Sequence, residues 1–248
     1  MGIYREFARY YDDLMYDIDY ESWYKFLKQI SIRPFNNVLE LACGTGNITE
    51  YLAIDESVDK VAAIDISEEM LLEASDKLEK YSKVSLYKQD MRKLDMGISR
   101  YDTVLCTCDG LNYIIDEEDI KEIFRRVYEL ILENGQFIFD LNSYYKLKEI
   151  IGNNVFIDET EDIFYIWENY FDEEKEISEF YITFFNRIED EKYKRFNEIH
   201  YERAYREDKI IEFLKEAGFN NISVYYDFKS DTDKDENSSK RIFFVCNK

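Results

Sequence analysis

The chain has 248 residues, 46% hydrophobic and 17% aromatic, enough for one large α/β domain or a domain with a sizeable insertion. Its 54 Asp and Glu outnumber 32 Lys and Arg, a formal net charge of −22, and no basic run interrupts the acidic surface. That balance excludes a nucleic-acid backbone or another acidic polymer as partner, and otherwise says mainly that the chain is soluble.

The N-terminal MGIYREFARYYDD has no signal-peptide apolar region, and no stretch approaches about 20 unbroken apolar residues, so no membrane span is expected. Ile3, Phe7, Tyr10, Tyr11 and Leu14, then Trp23, Phe26, Leu27 and Ile30, recur at helical spacing, which predicts helix over 3–31. Pro34 closes that region. NVLEL (37–41) reads as a first strand, followed by a glycine loop and a helix over 47–53. VDKVAAID (58–65) is a second strand. Ser67 then caps a helix with Met70, Leu71, Ala74 and Leu78 on one face. KVSLYK (83–88) and YDTVLCTC (101–108) are the third and fourth strands. Asp116 caps a helix striped by Ile120, Ile123, Phe124, Val127 and Ile131, and residues 136–141 form the fifth strand. Alternation of short apolar strands with amphipathic helices implies an open, mostly parallel sheet with right-handed crossovers.

The pattern changes after residue 150. DIFYIWENYFD, EISEFYITFFNR and YKRFNEIHYERAY alternate as strands do, with charged turns at 172–175 and 189–192. They predict an antiparallel meander inserted into the α/β unit. Its aromatic residues suit a pocket lining, the meander's own core or a dimer face, with core the simplest role. Ile210, Ile211, Phe213, Leu214 and Ala217 then mark a helix ended by Gly218. Strands over 221–228 and 241–247 follow, joined by the polar SDTDKDENSSK.

Ligands of open parallel sheets bind at the carboxyl ends of the strands, where strand order reverses. There the first strand carries Glu40 and the loop Ala42-Cys43-Gly44-Thr45-Gly46, the second Asp65, the third Asp90 and the fourth Asp109, Asn112 and Tyr113. A nicotinamide dinucleotide wants G-x-G-x-x-G; here Thr49 holds the third glycine place, and Glu40 would repel a pyrophosphate. A ligand with an ammonium group reverses the objection. Glu40 can anchor the ammonium, while Gly44 and Gly46 let the backbone approach a nucleoside. Asp65 can accept ribose hydroxyls and Asp90 an adenine amino group, and Ile66, Met70 and Met91 can sandwich the base.

These segments, VLELACGTGN (38–47), VAAIDIS (61–67), KQDM (88–91), YDTVLCTCDGLNYI (101–114) and GFNNISVYYDF (218–228), resemble the class I S-adenosylmethionine-dependent methyltransferases. FARYYDDLMYDIDYESW and EIHYERAYREDKIIEFLKEAGF are similar to a narrower group of bacterial small-molecule members, some of which methylate amino groups of sugars. The resemblance implies a Rossmann-like seven-stranded sheet with an antiparallel last strand. It also implies a core over 1–150 and 205–248 with a helical lid over 1–31, and an inserted substrate cap over 151–204. The implied cofactor is S-adenosyl-L-methionine, leaving as S-adenosyl-L-homocysteine. Tyr11, Trp23, Ala42, Cys43, Cys106 and Asp109 complete the candidate cofactor contacts, although Trp23 also suits the core and Cys106 shares a packing face with Cys108. Tyr113 and His200, the chain's one histidine, are the candidate catalytic residues. On its strand, His200 shares a polar face with Glu198 and Glu202 that solvent would equally explain.

Four cysteines (Cys43, Cys106, Cys108, Cys246) without C-x-x-C pairs, and a single His, leave no zinc pattern, so no metal is expected. The expectation is a cytoplasmic methyltransferase, monomer or homodimer, acting on a small-molecule nucleophile, with an amine as one candidate acceptor. Two rivals stand beside it: a non-catalytic protein that keeps the fold and binds a partner through the acidic meander, and an NAD-dependent oxidoreductase.

Overall fold

The computed structural model describes residues 7–189, 192–230 and 235–248. The helical positions at the extreme N-terminus, Ile3 among them, part of the 189–192 turn and part of the last polar loop lie outside the described residues. Where one helix was expected over 3–31 there are two, α1 (Ala8–Leu14) and α2 (Tyr20–Ile30). The break falls at Asp19, whose carboxylate accepts from Ser22 N at 2.9 Å and caps α2.

The core then alternates β1 (Asn37–Leu41), α3 (Asn47–Ile54), β2 (Lys60–Asp65), α4 (Glu68–Leu78), β3 (Val84–Lys88), β4 (Tyr101–Cys106), α5 (Glu117–Leu130) and β5 (Ile131–Asn142). A second sheet follows, formed by β6 (Val155–Glu159), β7 (Ile163–Asp172), β8 (Ile177–Glu189) and β9 (Lys192–Arg203). The chain returns through α6 (Glu207–Ala217), β10 (Asn221–Tyr226) and β11 (Arg241–Asn247). The seven-stranded sheet has the order β10-β11-β5-β4-β1-β2-β3; only β11 runs against its neighbours. The second sheet is an antiparallel meander, β6-β7-β8-β9.

Both faces of the main sheet are covered. Ile120, Ile123, Phe124 and Val127 of α5 and Ile210, Phe213 and Leu214 of α6 pack on one face. Trp23, Phe26, Leu27 and Ile30 of α2 and Ile48 and Leu52 of α3 pack on the other. The meander has its own core: Phe171 and Phe180 meet Leu147 and Ile151, while Phe184 stacks on Phe7 just before α1, with centroids 4.9 Å apart. The segment of α1 therefore packs on the meander, and α1 also contacts α4 of the core. β1 pairs with β2 on one side and β4 on the other, so strand order reverses beside β1. That is the switch point of the sheet, and the site opens there.

Candidate active site

A cavity of about 260 Å³ lies at the carboxyl ends of β1, β2, β3 and β4. It brings together Tyr11, Glu40, Ala42, Cys43, Gly44, Asp65, Ile66, Met70, Asp90, Met91 and Tyr113 from the sequence-derived candidates. These come from separate parts of the chain, and the parallel sheet is what gathers them.

The glycine loop is a tight left-handed turn: φ is +52° at Ala42, +55° at Gly44 and +80° at Gly46. Such angles favour glycine, and Ala42 bears them only with strain. Gly110 makes room for it, since a Cβ on Gly110 would stand 3.0 Å from the Ala42 Cβ. A Cβ on Gly44, which lines the cavity, would meet nothing within 4 Å. Gly46 has another role. It precedes α3, and a Cβ there would lie 2.8 Å from Leu78 Cδ1 and 3.3 Å from Ala74 Cβ of α4. It is needed for packing and does not line the cavity.

Glu40 is 1% exposed, and its carboxylate accepts from the Thr49 hydroxyl at 2.6 Å. The residue that breaks the dinucleotide fingerprint is thus the partner of the acid. Burial pushes the Glu40 carboxyl up to about 8; the nearby charge of Asp65 adds to this, and the Thr49 bond opposes it. Asp65 accepts from Gly44 N at 2.9 Å and Ser67 N at 2.8 Å, so its carboxylate ties β2 to the glycine loop. Burial raises its pKa, against those backbone bonds. Asp90 caps the short 3₁₀ turn Met91–Lys93 and is gripped by Arg92, whose Nη2 lies at 2.7 Å. The Arg92 bond holds the Asp90 carboxyl below its ordinary range.

Five candidates do not line the cavity. Trp23 is buried against Phe228 and Phe243, with the Arg241 guanidinium over its ring at 4.7 Å. Cys106 is fully buried in the core under α5. Cys108 lines the cavity instead, because β4 ends at Cys106 and both Cys108 (φ +56°) and Asp109 (φ +57°) turn left-handed, which ends the alternation of faces. Asp109 turns away to Arg241 at 2.9 Å, and Gly46 packs on α4. His200 lies behind the wall. Its strand face is buried rather than solvated: His200 is 2% exposed and Glu202 4%.

The back wall is nevertheless ordered. Asn112 accepts from Asn142 N at 2.9 Å and donates to the carbonyls of Asn142 (3.2 Å) and Arg203 (2.9 Å), which pins the 3₁₀ turn Gly110–Tyr113 to β5 and β9. Tyr113 Oη then faces His200 Nδ1 at 3.5 Å. Below the turn, Asp140 accepts from Cys108 N (2.9 Å) and Asp109 N (3.1 Å) and pairs with Arg241. Among the described residues the meander contributes no side chain to the lining of this cavity.

Sequence reasoning passed over Asp12 and Tyr20. Asp12 accepts from Thr45 Oγ1 (2.7 Å), Asn47 Nδ2 (2.9 Å) and Lys77 Nζ (2.8 Å), fastening α1 to the glycine loop and α4. Burial raises its pKa, but those three partners together bring it below the ordinary value. Its acidic position beside Tyr11 was the only available signal. Tyr20 lines the cavity, and its buried Oη lacks a hydrogen bond of good geometry, though Tyr11 and Asn47 stand near. Among the described residues, no cluster of three or more His, Cys, Asp or Glu could hold a metal ion, and no helix is long and apolar enough to cross a membrane.

Comparison with known proteins accords with this geometry. Residues 38–135 match the model of a family described as a methyltransferase domain. The chain is 35% identical over 250 residues to "Putative methyltransferase GWCH70_2453" of Geobacillus sp. (strain WCH70), covering 99% of each chain. A crystal structure of an S-adenosylmethionine-dependent methyltransferase from Clostridium acetobutylicum superposes with a TM-score of 0.86 at 38% identity, over 98% of both chains. The sugar N-methyltransferase KedS8 from Streptoalloteichus sp. shares the fold, with a TM-score of 0.75 at 16% identity, over 100% of this chain and 93% of that one. Near-complete coverage at these identities, on a sheet whose switch point carries a glycine loop and a ring of carboxylates, decides between the readings of that loop: the chain belongs to the S-adenosylmethionine-dependent methyltransferases.

Proposed function

We propose that this methyltransferase binds S-adenosylmethionine in the switch-point cavity and methylates a small molecule at an amine. The observation that carries the proposal is the set of carboxyl groups on the lining, which a cationic ligand would hold ionised. Glu40, Asp65 and Asp90 all border the cavity, and among the described residues of the lining the one cation, Arg92, is already gripped by Asp90. Such a lining favours a cationic ligand and opposes a phosphorylated one.

The residues fit the cofactor. Glu40 would face its ammonium, Asp65 its ribose hydroxyls and Asp90 its adenine edge, with Ile66, Met70 and Met91 against the base. The orphan Tyr20 Oη and the open space over Gly44 are the further marks of a cradle. When bound, the cofactor supplies a methyl group on a sulfonium, open to in-line displacement. The protein's own work is to align the acceptor, exclude water and accept a proton. Tyr11, Tyr20 and Tyr113 present aromatic walls that suit both a sulfonium and an ammonium. Tyr113 is the side chain we assign to the acceptor, and His200 stands behind it. The sugar N-methyltransferase among the structural relatives is compatible with an amine acceptor, by fold alone.

The test is a mass-spectrometric screen of purified protein with trideuteromethyl-labelled S-adenosylmethionine against amines, neutral sugars and carboxylic acids. Label should appear in amines. Label confined to hydroxyl or carboxylate acceptors would overturn the amine assignment. Failure to bind S-adenosylhomocysteine at millimolar concentration would overturn the cofactor site.

A further inference from the structure

Behind Tyr113 lies a polar chain that no cavity contact explains. Glu198 and His200 are two residues apart on β9, so the strand puts both side chains on one face. His200 Nε2 lies 3.1 Å from a Glu198 carboxylate oxygen, and the two side chains are 2% and 9% exposed. The other ring nitrogen, Nδ1, faces Tyr113 Oη at 3.5 Å, the long limit of a hydrogen bond, and the two rings meet edge to face at 5.9 Å. Tyr113 alone of the three reaches the cavity. The arrangement is thus carboxylate, imidazole, phenol and cavity, in that order.

We propose that Glu198 is a positioning residue for methyl transfer: it holds the His200 ring so that Nδ1 accepts from Tyr113, and the three form the outlet for the acceptor's proton. This rests on the reading of the cavity as the methyl-transfer site. A neutral amine attacks the methyl carbon, the new N–C bond forms as the C–S bond breaks, and the sulfur leaves as a neutral thioether. The methylated ammonium then gives a proton to Tyr113 Oη as the phenol passes its own proton to His200 Nδ1. The imidazolium that results sits against the Glu198 carboxylate, and its later loss of the proton to solvent resets the site. A buried imidazole without that carboxylate would be a poor resting place for a charge.

The surroundings of His200 fit the assignment. From the Gly110–Tyr113 turn it meets Tyr113. From its own strand it faces Glu198 on one side and Glu202 on the other, the latter held by Asn142 Nδ2 at 2.8 Å, with Lys146 also bonded to Asn142. Phe180 of β8 pairs with it across the sheet, and the Phe7 ring meets it edge-on at 6.5 Å. Among the described residues the charged groups facing it from its own strand are these two acids, and Glu198 is the one in reach of a ring nitrogen.

His200 is the one histidine in the sequence, so its ring can be read alone. The experiment is nuclear magnetic resonance of tag-free protein labelled with nitrogen-15 histidine, in wild type, Glu198→Gln and Tyr113→Phe, with and without S-adenosylhomocysteine. Wild type is expected to carry its neutral-state proton on Nε2, with Nδ1 as acceptor. In Glu198→Gln the Nε2–H loses its charged acceptor, so its proton resonance should move upfield and its exchange with solvent should quicken. In Tyr113→Phe the Nδ1 resonance should move while the Nε2 proton stays. A neutral ring protonated on Nδ1 in wild type, or an Nε2–H resonance unchanged in Glu198→Gln, would overturn the proposal. Circular dichroism melts confirm that each variant is folded, and Glu198→Asp, which keeps the charge, should return the Nε2–H resonance toward wild type. If the protein fails to bind S-adenosylhomocysteine, the reading of the cavity is wrong; binding with an indifferent histidine sinks only the relay. With an acceptor from the screen, Glu198→Gln should lower kcat at least tenfold and leave KM for S-adenosylmethionine within twofold. A kcat equal to wild type would refute the proton outlet.

Discussion

Replacing Glu40 with Gln should make the ligand-free protein more stable at alkaline pH while weakening its hold on a cationic ligand. Burial lifts the Glu40 carboxyl from 4.5 to about 8, so over that range the native state keeps a proton that the unfolded chain has released. Raising pH therefore favours unfolding: stability is full below 4.5, falls through the interval and has lost its whole share above 8. At about 1.4 kcal/mol per pH unit, the loss is roughly 2 kcal/mol by pH 6 and roughly 4 by pH 8. Gln keeps an oxygen for the Thr49 hydroxyl and does not titrate. The gap in Tm between Glu40→Gln and wild type should consequently widen by about 4–8 °C between pH 6 and pH 8, at 2–4 °C per kcal/mol for a domain of this size. Other buried acids, such as Glu202, which burial also pushes up to about 8, titrate in both proteins and cancel in the difference. The assay is thermal melting by circular dichroism across that range, with and without S-adenosylhomocysteine. The ligand should restore wild type more than the variant. A gap that does not change with pH, or a variant less stable than wild type at pH 8, would refute the reasoning.

Three further substitutions probe separate parts of the frame. Gly46→Ala meets both a left-handed φ of +80° and Leu78 Cδ1, so chemical denaturation should show a loss of about 1–3 kcal/mol, and a smaller loss when introduced into a Leu78→Ala background. Arg241→Met strips the partner from fully buried Asp140; urea titration should show a loss of about 3–5 kcal/mol, much of it regained in the double variant with Asp140→Asn. Asp12→Ala unfastens α1 from Thr45, Asn47 and Lys77, and calorimetry should find S-adenosylhomocysteine binding weakened about 3- to 30-fold while Tm falls by only a few degrees.

Much of this molecule was legible in its residues. The α/β alternation and the meander each have a period that survives folding, 3.6 for α5 and 2 for β9, because a single buried face dictates it. The carboxylates at the ends of β1 and β2 could be placed because a parallel sheet puts all its strand ends on one edge. What failed did so where the period stops. Cys106 and Cys108 looked like neighbours on one face until the backbone at Cys108 turned to φ +56° and sent it to the cavity. Trp23 and Gly46 carried residue types suited to a ligand, but α2 and α4 claim them for packing. The face of His200, Glu198 and Glu202 stayed open between solvent and site because its polar alternation is the same whether water or a polar network lies opposite. Asp12 gave no periodic signal, since its partners come from the glycine loop and α4, far along the chain.

The central claim is that the switch-point cavity holds the methyl donor through its carboxylates. Isothermal titration calorimetry of wild type and Asp65→Ala with S-adenosylhomocysteine tests it most directly. Wild type should bind with one site. Asp65→Ala should bind at least tenfold more weakly, since two ribose hydroxyls lose a charged acceptor worth about 1.5–3 kcal/mol per bond. Equal affinity in the two folded proteins would contradict the account.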